Sequence, residues 1–155
     1  MKSITSVLFV CMGNICRSPT AEALCRVKLQ QKGLNLRIDS AGTLGFHRGN
    51  PPDPRAVAAG EKRHLSFDGI FARQVTAEDF EQFDLILAAD KQNLAELMAL
   101  CPPAHKDKLR LMLSYGTLGI GEVPDPYYGS SDGFETVLDL LDDSLERLLE
   151  QVAAY

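Results

Sequence analysis

The 155-residue sequence predicts an α/β fold with parallel strand pairing. Short apolar runs alternate with longer helical segments along the chain, the pattern of strands joined by helical crossovers. The first of those runs, Ser6-Val7-Leu8-Phe9-Val10, is continuously apolar, as a buried strand is. The segments between carry helix start and stop residues in the right order.

The elements follow in sequence. Residues 5–11 form the first strand. A helix spans 18–32, with Ser18 suited to its N-cap and Pro19 to its first turn. Ala23, Leu24, Val27 and Leu29 lie near one face, and Gly33 is a C-terminal stop. Residues 35–40 alternate and suggest a second strand. A loop rich in Gly and Pro runs from Ala41 to Pro52, and Asp53-Pro54 opens a helix reaching about Lys62, with Ala56, Val57 and Ala59 on its buried side. Thr76 caps another helix, with Asp79 in the capping-box position. Phe83–Ala88 reads as a central strand. Asp90 caps a helix that ends at Cys101, before Pro102-Pro103. Lys108–Leu113 suggests a fourth strand. A long loop follows from Tyr115 to Gly133. The last helix, Phe134–Ala153, presents Phe134, Val137, Leu138, Leu141, Leu145, Leu148 and Val152 as an apolar stripe. Its acidic residues read as a solvated face.

Composition bounds the function. The length suits one domain, 1–155, and a chain of this size buries about 70% of its unfolded surface. Apolar residues make up 45%, no run is long enough for a bilayer span, and the first residues lack a signal-peptide pattern. A cytoplasmic protein is expected, with no membrane partner. Net charge is −5 with no basic run, which argues against nucleic acid. A local positive nest can still hold an anion. Four cysteines stand at 11, 16, 25 and 101, without C-x-x-C or zinc spacing, so neither a metal nor a disulfide framework is expected. No cofactor is implied. The sequence sets no oligomeric state.

The chemistry concentrates in residues 11–18, C-M-G-N-I-C-R-S, between the first strand and its helix. A loop that opens a helix exposes unpaired backbone N–H groups, and the helix dipole favours an anion there. In such sheets ligands bind beyond the carboxyl ends of the strands, where this loop falls. Gly13 allows a sharp turn and close approach to a ligand. Arg17 offers a planar fork for two phosphate oxygens. Cys11, at the mouth of this nest, is expected as a thiolate nucleophile beneath a phosphoryl group. Taken alone, the spacing also fits a buried free thiol closing a strand, with Arg17 at the surface.

Displacement at phosphorus needs an acid for the leaving oxygen. Pro124-Asp125-Pro126-Tyr127-Tyr128 supplies one, because flanking prolines hold Asp125 stiffly. Tyr127 and Tyr128 could wall a slot for an aromatic ring. The plain alternative is an Asp-Pro turn with partly buried aromatics. His47, near the presumed rim, reads as a solvated loop histidine.

Together, C-M-G-N-I-C-R-S-P-T-A-E-A, D-S-A-G at 39–42, P-D-P-R-A at 52–56, A-R-Q-V-T at 72–76, the D-x-x-N-L run at 90–94 and D-P-Y-Y-G resemble the low-molecular-weight protein tyrosine phosphatases, in order and over essentially the whole chain. The resemblance implies a doubly wound, four-stranded parallel sheet with helices on both faces. It implies hydrolysis of phosphotyrosine in proteins, and of small aryl phosphates, through a cysteinyl-phosphate, with inorganic phosphate as product. It makes Cys11 the nucleophile, Arg17 the phosphate clamp and Asp125 first acid, then base. Met12, Gly13, Asn14, Ile15, Cys16 and Ser18 would surround the phosphate. Ser18 would donate to the Cys11 thiolate, and Asn14, with Ser40, would hold the loop's strained shape. Cys16 would trap an oxidised Cys11 as a disulfide. Phe46, Tyr127 and Tyr128 would line the aromatic slot. One departure is Ile70, where many members carry a histidine touching the asparagine network.

Other activities use related loops. An arsenate reductase needs further cysteines on a mobile segment, and here only Cys101 is available, before a rigid Pro-Pro. A cysteine phosphocarrier would not need Asp125. Phosphoarginine phosphatases of this kind tend to carry Thr where Ile15 stands, and Ile15 should narrow the pocket against guanidinium while admitting a flat ring.

Overall fold

The chain is described by a computed structural model over residues 3–127, 129 and 132–154. Strand β1, Ser6–Cys11, is buried along its whole length. Val7, Phe9 and Cys11 pack into one apolar cluster and Leu8 and Val10 into another, on opposite sides of the sheet. A strand buried on both faces needs an apolar side chain at nearly every position, which is why the run is unbroken.

Three more strands complete the sheet: β2 (Arg37–Gly42), β3 (Leu85–Ala88) and β4 (Leu109–Leu111). Their order is β2-β1-β3-β4, every pair parallel. Helices α1 (Arg17–Lys32), α2 (Pro54–Glu61) and α5 (Asp132–Ala153) cover one face. Helices α3 (Ala77–Gln82) and α4 (Lys91–Leu100) supply Phe80 and Leu97 to the other. The expected doubly wound sheet is present. Because the chain leaves β1 toward β2 and returns on the other side as β3, the carboxyl end of β1 lies at the topological switch point.

Several boundaries differ from expectation for local reasons. Helix α1 begins at Arg17 with Cys16 at the cap position, not Ser18. The Ser18 hydroxyl is turned into the loop instead. Strand β2 extends to Gly42 because its register with β1 continues to the Cys11–Gly42 pair. Strand β3 starts two residues late, since the Phe83 N–H still closes α3 on Asp79 O at 3.2 Å. Strand β4 is short at both ends: Pro103–Lys108 forms a 3₁₀ turn before it, and a turn closed by Ser114 N on Leu111 O at 3.0 Å follows it. The caps at Asp53, Asp90 and Gly33 are as expected: Asp53 accepts from Arg55 N, Asp90 accepts from Asn93 N, and Gly33 is left-handed at φ 64°.

The acidic side of α5 is not merely solvated. Asp142 and Glu146 hold the buried Lys28 of α1 at 2.8 and 2.6 Å, Glu146 also pairs with Lys32, and Glu135 and Asp139 meet Arg63. Lys28 carries its charge under α5 because two carboxylates neutralise it there.

Candidate active site

Five residues, 12–16, join β1 to α1. The chain turns at Asn14, whose φ of 57° is left-handed. Asparagine tolerates that region better than most side chains. Gly13 has an ordinary φ, and its lack of a side chain serves space instead: a Cβ there would lie 3.0 Å from His47 Cδ2. Gly42 is needed more strictly, because a Cβ would fall 2.8 Å from Met12 O.

Asn14 is almost fully buried and uses its whole side chain. Its Nδ2 donates to Ser18 Oγ (2.8 Å) and Ser40 Oγ (3.0 Å), and its Oδ1 accepts from Arg73 N (3.0 Å). Ser40 therefore sends its own proton to Glu22 Oε1, 2.6 Å away. Burial, the largest influence, raises the Glu22 carboxyl above its usual range. Ser18 Oγ accepts from Asn14, and its one proton is shared between two acceptors, Cys11 Sγ at 3.0 Å and the longer Ala41 O at 3.5 Å. The Asn14 N–H also reaches that sulfur, at 3.3 Å. All of this is satisfied without the side chain of Ile70, which is buried in the apolar core.

Arg17 is 3% exposed. Both protons of NH1 are committed, to Asp90 Oδ2 at 2.7 Å and Val123 O at 3.1 Å. The Nε and NH2 edge makes no hydrogen bond to the described residues; NH2 lies 3.7 Å from Asp125 Oδ2. One side of the fork thus fixes the group and the other faces the pocket. Burial opposes the charge, but Cys11 and the Asp90 hydrogen bond outweigh it, so Arg17 is held above its already high range.

Cys16 is a second thiol on the same loop. Burial first, then the negative Asp53, pushes its thiol up to about 12, so it stays protonated near neutral pH. All four cysteines are free and buried. Among the described residues no group of three His, Cys, Asp or Glu side chains could hold a metal.

A cavity of about 230 Å³ opens above the loop, lined by Cys11, Met12, Gly13, Ile15, Cys16, Arg17, Leu44, Phe46, His47, Asp125 and Tyr127. Three chain segments far apart in sequence thus meet there: the Cys11 loop, the loop after β2 and the Asp125 loop. Asp125 stands at the edge, its side chain 38% exposed, and Oδ1 accepts from Tyr127 N at 3.0 Å. Phe46 is 86% exposed and meets the His47 ring edge-on, with centroids 5.1 Å apart. His47 and Tyr127 face each other at 6.4 Å. Tyr128 lies outside the described residues. Asn14, Ser18 and Ser40 stand behind the cavity wall as support.

Sequence reasoning did not place Leu44 in the site, nor make Asp90 the anchor of Arg17, nor give Arg73 or Glu22 a part beside it. Asp90 had left a signal: a helix cap directly after a central strand must lie at the carboxyl edge of the sheet, beside the Cys11 loop. Leu44 carried none.

Comparison with known proteins agrees with this geometry. The sequence model for low molecular weight phosphotyrosine protein phosphatases matches residues 6–155. The low molecular weight protein-tyrosine-phosphatase YfkJ of Bacillus subtilis is 41% identical over 150 residues, covering 95% of each chain. The low molecular weight phosphotyrosine protein phosphatase of Homo sapiens is 43% identical over 136 residues, covering 85% of each. The crystal structure of a protein tyrosine phosphatase from Entamoeba histolytica, with Hepes in its active site, superposes with a TM-score of 0.93 at 40% identity over 97% of each chain. With its parallel sheet, its loop at the switch point and a match along nearly its full length, the chain belongs to the low molecular weight phosphotyrosine protein phosphatase family.

Proposed function

We propose that this protein hydrolyses phosphotyrosine in protein substrates through a cysteinyl-phosphate. The observation that carries the reading is the convergence of Cys11, the unused edge of Arg17 and Asp125 on one cavity. The Nε and NH2 edge of Arg17 takes two phosphate oxygens, together with backbone N–H groups at the start of α1. The Cys11 thiolate attacks phosphorus, the P–O bond to the tyrosine ring breaks, and Asp125 gives its proton to the leaving phenolate. Water then attacks the cysteinyl-phosphate. Asp125 takes the water proton, the S–P bond breaks, and inorganic phosphate leaves with the thiolate restored. Ser18 supports that leaving thiolate by donating to it. Phe46 and Tyr127 flank the ring of the substrate, as would Tyr128, and Met12 and Ile15 close the slot.

We further propose that Cys16 protects the nucleophile. It is a thiol on the same short loop, so a sulfenic acid formed on Cys11 condenses with it to a disulfide, releasing water. Thiol reductant restores both. Such a cycle suits a reducing cytoplasm, and among the described residues no helix is long and apolar enough to cross a membrane.

The test is phosphate release from a tyrosine phosphopeptide beside matched phosphoserine and phosphoarginine substrates. Turnover confined to the tyrosine substrate is expected. Preference for phosphoarginine would replace this reading.

A further inference from the structure

Asp125 is weakly held by its own side chain. Its Oδ1 accepts from Tyr127 N of the same loop, and its Oδ2 is 3.7 Å from Arg17. A general acid needs tighter placement, since about 1 Å of displacement costs on the order of 10²-fold in rate. The backbone on either side must supply it. Upstream, Val123 is fastened twice: its N–H donates to Ala89 O at 2.8 Å, and its carbonyl accepts from Arg17. Downstream, Arg55 NH2 donates to Tyr127 O at 2.9 Å.

Arg55 is itself fixed. Nε and NH2 grip the two oxygens of Asp53 at 3.1 and 2.9 Å, and the guanidinium lies 4.9 Å from the Phe134 ring centroid and 5.5 Å from that of Tyr127. The Asp53 N–H donates to Ile15 O at 2.8 Å, inside the Cys11 loop. A continuous path therefore runs from Ile15 O through Asp53 and Arg55 to Tyr127 O. It ties the downstream side of Asp125 to the same loop that carries the nucleophile.

We propose that Arg55 is a positioning residue that latches the Asp125 loop at a set distance from Cys11. The proposal rests on the reading of Asp125 as general acid. Arginine is required by geometry. One NH2 proton goes to Asp53 and the other to Tyr127 O, while Nε–H completes the fork and the flat group covers two rings. A lysine ammonium cannot occupy those three acceptors in one plane or cover the rings in the same way. Charge alone contributes little, because the Arg55 side chain is 45% exposed and an ion pair there is screened by solvent.

The experiment compares kcat/KM for phenyl phosphate, whose leaving phenol needs a proton, with that for p-nitrophenyl phosphate, whose leaving group needs far less help. Arg55→Ala and Arg55→Lys are measured beside Asp125→Asn and the double variant Arg55→Ala/Asp125→Asn, with far-UV circular dichroism to confirm folding. The phenyl-to-nitrophenyl ratio should fall about 10-fold in both Arg55 variants, a fraction of the 10²–10⁴-fold worth of a general acid. It should fall further in Asp125→Asn, and no further in the double variant. An unchanged ratio in the Arg55 variants, while Asp125→Asn shifts it, would overturn the latch alone. A wild-type ratio in Arg55→Lys would do the same, since charge would then suffice. An unchanged ratio in Asp125→Asn would overturn the acid reading and the latch with it.

Discussion

Replacing Asn14 should cost more stability than almost any other single change in the Cys11 loop. In Asn14→Ala the Arg73 N–H loses its acceptor in a part-buried site, a penalty of about 1–3 kcal/mol. Ser18 and Ser40 each lose an incoming hydrogen bond but keep an acceptor of their own, at about 0.5–1.5 kcal/mol each. Alanine at the left-handed φ of 57° adds about 1 kcal/mol over asparagine. The expected total is about 3–7 kcal/mol, a large part of the roughly 5–15 kcal/mol that folds a domain. Asn14→Gly loses the same bonds but not the backbone strain. Glycine's extra freedom in the unfolded chain offsets some of that relief, so it should be about 0.5–1 kcal/mol more stable than Asn14→Ala. Urea unfolding at pH 7, followed by circular dichroism, gives both differences at constant m. An Asn14→Ala protein within about 1 kcal/mol of wild type, or an Asn14→Gly protein no better than the alanine variant, would refute the reasoning.

Further outcomes follow from the same geometry. Cys11→Ser should abolish turnover yet keep phosphate-dependent thermal stabilisation, read by differential scanning fluorimetry, because the hydroxyl does not ionise near neutral pH. Arg17→Lys should be nearly as damaged in kcat/KM, since a lysine cannot hold Asp90 and Val123 O on one side and a phosphate on the other. Asp125→Asn should lower kcat/KM on a tyrosine phosphopeptide by roughly 10²–10⁴-fold. Mild peroxide should inactivate the enzyme reversibly and yield a Cys11–Cys16 disulfide by peptide mapping, while Cys16→Ser should be lost irreversibly. Hydrogen bonds from Lys28 and Lys32 depress Glu146 from 4.5 to about 2. A depressed folded value means its contribution is complete above about pH 4.5 and fades as the pH falls toward 2. With solvent screening of a part-exposed group, about 1–2 kcal/mol of stability should disappear over that window. A Glu146→Gln protein should lose correspondingly less on acidification.

The sheet was legible because its signals are local. An unbroken apolar run marks β1, and cap residues at Asp53, Thr76 and Asp90 mark three helix starts. That Cys11, Arg17 and Asp125 meet at one cavity was legible for a different reason: each is a residue type that the expected chemistry calls for and whose neighbours stiffen it. What escaped was decided by distant partners. Ser18 looked like a cap, yet Cys11 and Asn14 claim its hydroxyl, and nothing within the helix-start pattern announces that competition. The acidic residues of α5 looked solvated because Lys28 and Arg63, their partners, lie far back in the chain. The shortened β4 lies between a 3₁₀ turn that takes Lys108 and a turn that begins after Leu111, where pattern alone continued the strand. Leu44 entered the cavity only through the path of a loop.

The cavity divides its labour by depth. Cys11 and Arg17 at its base are each 3% exposed, while Met12, Leu44 and Phe46 at its mouth are 39%, 46% and 86% exposed. Substitutions at the base disturb the core, but exposed side chains usually change stability by less than about 0.5 kcal/mol. The rim is therefore free to vary under selection while the base is held fixed by folding itself. Divergence among descendants of such a chain should run fastest in the contour that chooses a substrate and slowest in the machinery that acts on it. New preferences can then be sampled without first acquiring spare stability.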